Sequence, residues 1–220
     1  MFEHRSSRLD DLDDLGPAAA LVFAVHRRRA VDSAEADLLG VAAHWADLHP
    51  VLAGDPDGFR VPGMERLVPL AGEGTPEVAE FAPAELAAAL GMSTAAGQQL
   101  VGDALELRHR LPRLWARVRD GTLQAWRGRQ VAAHTRHLSL EAAGWVDGQV
   151  APFAHKIALA RTLTLVEAAL VRFDPEAAAK QAAAATGGRG VWVSDQMTNG
   201  TRSISIEADA LEGVSDSLCR

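Results

Sequence analysis

Apolar positions recur at helical spacing along most of the chain. Leu38, Val41, Ala42, Trp45 and Leu48 fall on one side of a helical wheel, and Pro17 suits a first helical turn. Residues 17–48 therefore read as one or two helices, within an N-terminal helical region over 1–49. Asp32 and Glu35, three apart, form a candidate capping pair that restarts the helix after an arginine run. Between 50 and 82 the pattern lapses into prolines and glycines, among them Pro50, Pro56, Pro62, Pro69 and Pro76 with Gly54, Gly58, Gly63, Gly72 and Gly74. A stretch that long without periodicity reads as a linker or loop, and a domain boundary is expected there.

Helical periodicity returns over 83–186. The expected helices are Glu85–Leu90, Ala95–Arg110, Arg113–Arg119, Gln124–His137, Leu140–Val150, a short one near Lys156–Ala160, Leu163–Phe173 and Pro175–Ala185. Gly91, Pro112, Asp120-Gly121, Pro152 and Asp174-Pro175 are their stops, and Thr94, Ser139 and Asp174 are candidate N-caps. After Gly187-Gly188-Arg189-Gly190 the period shortens. Val191-Trp192-Val193 and Thr201–Ile206 read as two strands joined by a turn containing Asn199-Gly200. Asp209–Leu218 looks like a helix barely begun, so 187–220 reads as a β-hairpin plus the start of a helix in a truncated protein. The fold class expected is mainly α: a multi-helix bundle with a helix-turn-helix-like corner and a small C-terminal β-hairpin.

Composition supports the helical reading. Alanine supplies 42 of 220 residues, aromatics only 5%, and tyrosine is absent. Hydrophobic residues at 48% with a mean hydropathy of −0.02 fit neither a disordered chain nor a membrane protein. The early apolar run Ala18–Val25 follows acids and precedes arginines, the reverse of a signal peptide, and is too short to span a bilayer. The lone Cys219 excludes a disulfide framework and a cysteine-rich zinc site. A cytoplasmic protein with no membrane association is the expectation.

Charge changes the picture most. The formal net charge of −7 conceals a segment, Arg108–His137, with eight arginines against one acid, Asp120. That segment carries +7 and the remainder −14. Trp115 and Trp126 lie within it, and arginine interleaved with aromatic rings binds phosphates and stacks on bases. Arg113, Arg117, Arg127, Arg129 and Arg136 are the candidate nucleic-acid contacts. They do not form one stripe: Arg113 and Arg117 share a helical face, Arg129 and Arg136 another, and Arg127 lies with His134. Pairing with acids of neighbouring helices, or of another subunit, is the competing reading.

Three other patterns carry less. Ala87 and Gly91 have the spacing of a DNA-reading helix-turn-helix, with Leu100 nine residues on. Gly97, however, stands where the second helix should bury a branched side chain, and only Thr94, Gln98 and Gln99 offer base contacts. Helix–glycine–helix corners are also common in plain bundles. His134 and His137 with Glu141 are the nearest approach to a metal site, but no zinc-binding motif appears and Ser139 ends the helix between them. Surface or capping histidines are the simpler reading. The glycines at 187–190 lack the lysine and preceding strand of a phosphate loop and read as a hinge.

Pro83 to about Pro175 resembles the actinobacterial domain of unknown function 222, also called the 13E12 repeat family. The resemblance rests on Ala84-Glu85-Leu86-Ala87, Leu90-Gly91-Met92-Ser93, and Ala104-Leu105-Glu106-Leu107-Arg108-His109-Arg110-Leu111-Pro112. It continues through Leu114-Trp115, Asp120-Gly121-Thr122-Leu123, His137-Leu138-Ser139, Ala142-Ala143, Val146-Asp147 and Phe173-Asp174-Pro175. It implies a helical module that often precedes an HNH endonuclease domain, whose ββα unit uses histidines and a divalent metal. The last histidine here is His155, so the tail at 191–218 has none and no nuclease residue carries over. The expectation is a non-catalytic module of an HNH-endonuclease-associated protein, without cofactor or metal. It would contact DNA through Arg108–His137 or position a downstream nuclease domain. The alternative is a protein-interaction or self-association module with no nucleic-acid role.

Overall fold

The structure, a computed structural model, describes residues 12, 15–49, 65–187, 190–193, 201 and 203–207. Helix α1 (Pro17–Leu48) comes first, followed by a two-stranded antiparallel pair, β1 (Leu67–Val68) and β2 (Val78–Ala79). Helices α2 (Ala82–Ala89), α3 (Thr94–Arg110), α4 (Pro112–Arg119), α5 (Ala125–Thr135) and α6 (Leu140–Val150) then run in short succession. A 3₁₀ turn (Ala151–Phe153) leads on to α7 (Leu159–Phe173), α8 (Pro175–Gly187), β3 (Gly190–Val193) and β4 (Ile204–Glu207). The chain divides into two compact units, up to Val166 and from Glu167 onward. No described helix is long and apolar enough to cross a membrane.

The first unit is built around α3, which packs against α1, α2, α4, α5 and α6. Its eight consecutive residues Leu100–Leu107 are all buried, so it meets neighbours on every side. Leu39 of α1, Leu111, Leu114 and Val118 around α4, and Val146 and Val150 of α6 complete the core. The many alanines let helices approach closely. At the α2–α3 corner, a Cβ on Gly97 would lie 2.5 Å from the Pro83 carbonyl and 2.6 Å from the Ala87 Cβ. The space a branched side chain would need at 97 is thus filled by α2 itself.

The Pro/Gly-rich stretch, where it is described, packs onto the helices. Ala79 donates to the His49 carbonyl (3.2 Å), and the Trp45 indole N–H donates to the Ala82 carbonyl (2.7 Å). Both α1 and residues 65–81 fall in the same unit as α2–α6.

Several boundaries differ from expectation. Helix α1 is unbroken: Asp32 caps nothing but pairs with Arg28 one turn back (2.6 Å). The N-cap of α3 is Ser93, whose hydroxyl accepts from the Ala96 N–H (3.2 Å), so the start lies one residue before Thr94. No separate helix covers Lys156–Ala160, because Ala154–Lys156 turn and α7 begins only at Leu159. Ser139 and Asp174 cap as expected, accepting from Ala142 N–H (3.3 Å) and Ala177 N–H (2.9 Å).

In the second unit, β3 and β4 pair antiparallel with Val191 opposite Ile206 and Val193 opposite Ile204. Gly187 ends α8 and Gly190 opens β3. The Asn199-Gly200 turn, the remainder of the glycine hinge and the helix start at Asp209–Leu218 lie outside the described residues.

Candidate nucleic-acid interface

Glu106 and Arg110 stand one turn apart on the buried face of α3, and neither side chain has any exposed surface. Arg110 donates to both Glu106 oxygens (2.7 and 3.0 Å) and to the carbonyls of Thr135 (3.2 Å) and Leu138 (2.5 Å) at the end of α5. Glu106 also accepts from the Thr135 hydroxyl (2.8 Å) and the Gly72 N–H (2.9 Å). Each charge is therefore met by several partners, which is what allows the pair to be buried. Position 72 has to be glycine, since a Cβ there would stand 1.6 Å from an Arg110 guanidinium nitrogen.

Asp103, one turn earlier, receives Arg129 (2.8 Å) and Arg136 (2.5 Å), one on each carboxylate oxygen. Burial pushes its carboxyl above the ordinary range, against the pull of the two guanidinium groups. Arg108 pairs with Asp47 of α1 (2.6 Å). Arg119 donates to the Ala36 carbonyl (3.2 Å), 3.9 Å from Asp37. Five of the eight arginines thus join α4, α5 and the end of α3 to acids on α1 and α3.

The other three follow one segment, the end of α6 and the turns after it. Arg113 is exposed and lies against Gly148. Arg117 donates to the Ala151 carbonyl and stands 3.4 Å from the His155 ring. Arg127 reaches the Ile157 carbonyl (3.4 Å) and lies 4.7 Å from the centre of the Trp126 ring. None of the three is within ion-pair distance of a carboxylate among the described residues. Trp126, Arg127, Gln130, Lys156 and Ile157 line a cleft of about 310 Å³ beside this strip.

Asp147 sets the position of Arg113. Helix α4 opens on Leu111-Pro112, where its own N-cap residue has no capping side chain, and Asp147 of α6 accepts from the Arg113 and Leu114 N–H groups (3.0 Å each) instead. Burial raises the Asp147 carboxyl as well, outweighing those two bonds. The remaining candidates do not converge on this strip. Thr94, Gln98 and Gln99 are exposed on the first turns of α3, while Leu100–Leu107 are core. His137 is exposed, and Ser139 caps α6. Among the described residues no group of three or more His, Cys, Asp or Glu could hold a metal ion.

The five candidate arginines therefore separate into Arg113, Arg117 and Arg127 along 148–157, and Arg129 and Arg136 on Asp103. Asp103, Glu106, Asp147 and Gly72 are the groups that sequence reasoning missed as determinants. Two acids inside the apolar run Leu100–Leu107 were the available signal for the first pair. Asp147 sits in no comparable pattern, since its partners lie more than thirty residues away.

Comparison with protein-family models matches residues 58–214 to a domain of unknown function, DUF222. No curated protein and no solved structure matches the chain. The match takes in β1 through β4, including the Glu106–Arg110 pair and the strip along 148–157, and leaves α1 before it. Since it spans more than two thirds of the sequence, the chain belongs to the DUF222 family.

Proposed function

We propose that this chain is a non-catalytic helical module of a cytoplasmic HNH-endonuclease-associated protein, and that it contacts DNA phosphates through Arg113, Arg117 and Arg127. The observation that carries the reading is the sorting of the arginines. Five are engaged with the chain's own carboxylates, while Arg113 is exposed and Arg117 and Arg127 are half-buried along 148–157, with His155 beside Arg117 and Lys156 beside Arg127. The Arg117 and Arg127 guanidinium groups, held by carbonyl oxygens, keep N–H groups to spare for a phosphate. Arg129 and Arg136 then act through the fold, by neutralising Asp103. In this reading the module anchors a nuclease domain on DNA.

The test is duplex-DNA binding by gel shift and anisotropy over a salt series. Three phosphate contacts give a log–log salt slope of about −3, and each of Arg113→Ala, Arg117→Ala and Arg127→Ala lowers it by about 1. Undetectable binding at low salt overturns the reading. The alternative, an interaction module with no nucleic-acid role, is favoured by the five arginines already paired internally, and it predicts that negative result.

A further inference from the structure

We propose that the cleft between α5 and residues 154–162 binds one nucleotide, with its phosphate on Arg127 and Lys156 and its base against Trp126. Helix α5 puts Trp126 and Gln130 one turn apart along one edge of the cleft, and Arg127 and Val131 along the next. The turn Ala154–Lys156 and the opening of α7 form the facing wall. The space enclosed is about 310 Å³. That is the small end of ligand pockets, and it suits a single nucleotide better than a larger cofactor. Val131 and Ala154, both buried, give the cleft an apolar lining.

The polar groups select the ligand. Two cations, Arg127 and Lys156, line the cleft, and no carboxylate does. Neither is within ion-pair distance of an acid among the described residues, so both charges are left for an anion from outside. Arg127 is held in place from two sides. Its Nε donates to the Gln124 side-chain oxygen and one terminal nitrogen to the Ile157 carbonyl (3.4 Å each), which leaves the other terminal nitrogen for a phosphate oxygen. The same guanidinium lies 4.7 Å from the centre of the Trp126 ring, and that ring is 39% exposed. An exposed indole beside a fixed guanidinium is a stacking platform for a base. Gln130, exposed one turn on, carries the amide donor and acceptor that a base edge needs. A bare anion would leave the ring and the apolar lining unused, and an uncharged apolar ligand would leave both cations unanswered. Where the nucleotide belongs to a strand, the assignment rests on the proposed DNA contact, with which it shares Arg127. A free nucleotide needs neither Arg113 nor Arg117.

The experiment is calorimetric titration of the full chain with dAMP, with TMP and with a short single-stranded oligonucleotide of mixed sequence. Binding of either monophosphate assigns the cleft to free nucleotides, and binding of the oligonucleotide alone assigns it to a strand. In both cases Trp126→Ala and Lys156→Glu, changes at exposed side chains, should each weaken binding about tenfold with an unchanged thermal transition, and Trp126→Phe should keep most of it. Arg113→Ala should leave monophosphate binding as it was. No binding of any of the three ligands overturns the proposal, as does binding indifferent to both Trp126 and Lys156. Duplex binding that depends on Arg113 and Arg117 beside an empty cleft overturns this inference and leaves the DNA reading standing. Monophosphate binding without duplex binding does the reverse.

Discussion

Glu106 occupies a position where only a charge with several donors is tolerable. It faces Arg110, the Thr135 hydroxyl and the Gly72 N–H, and each of these belongs to a different part of the first unit. Removing one partner of such a pair strands the other without water. Glu106→Ala is therefore expected to destabilise the fold by about 3 kcal/mol or more in chemical denaturation. Gly72→Ala should be comparably damaging, because the methyl group would run into both the Arg110 guanidinium and the Arg136 carbonyl oxygen. Asp103 adds a pH signature. Its folded pKa is raised, so the folded state binds this proton more tightly than the unfolded one. Its contribution to stability grows as pH falls through the raised value towards the ordinary carboxylate range. The advantage of the wild type over Asp103→Asn should accordingly be larger near pH 4 than at pH 7, measured by urea midpoints.

At the scale of elements, α4 depends on a cap from another helix. Asp147→Ala should cost about 1–2 kcal/mol and fray the first turn of α4, with Arg113 losing its fixed place beside Gly148. Gly97→Val should open the α2–α3 corner and destabilise by a similar or larger amount, seen in thermal melts. Elements were legible where local chemistry decides them. Ser139 and Asp174 mark helix starts because their oxygens cap the N–H groups three residues on, whereas Pro112, expected as a stop before a helix from Arg113, is itself the first residue of α4, where its fixed φ suits a first turn. Ser93, next to an equally plausible Thr94, could be told apart only by geometry. The end of the Pro/Gly-rich stretch was illegible for a different reason. Its order comes from Gly72 meeting Glu106 and Ala79 meeting His49, partners some thirty residues distant. The candidate site was half legible. The concentration of arginine stands in the sequence, but the division between Arg129 and Arg136 on Asp103 and Arg113, Arg117 and Arg127 along 148–157 does not. Asp103 lies just outside the arginine segment, and no spacing rule couples it to positions 26 and 33 residues later.

At the scale of the whole molecule, the charges that make the segment Arg108–His137 basic largely hold the first unit together. Arg108 and Arg119 tie it to α1, and Arg129, Arg136 and Arg110 tie it to α3. High salt should shift the thermal transition little, since the Glu106–Arg110 pair is fully buried and poorly screened, whereas the proposed DNA contact should weaken steeply. No described residue before Ala36 is fully buried, so deleting 1–30 should leave the melting temperature of a dilute sample within a few degrees of the intact chain. The asymmetry of α1 has one more effect. Its hydrogen-bonded ladder is continuous from Pro17 to Leu48, yet only the part from Ala36 onward must wait for the core to open before its amides meet solvent. Deuterium uptake should divide this single helix near Ala36, fast on one side and slow on the other.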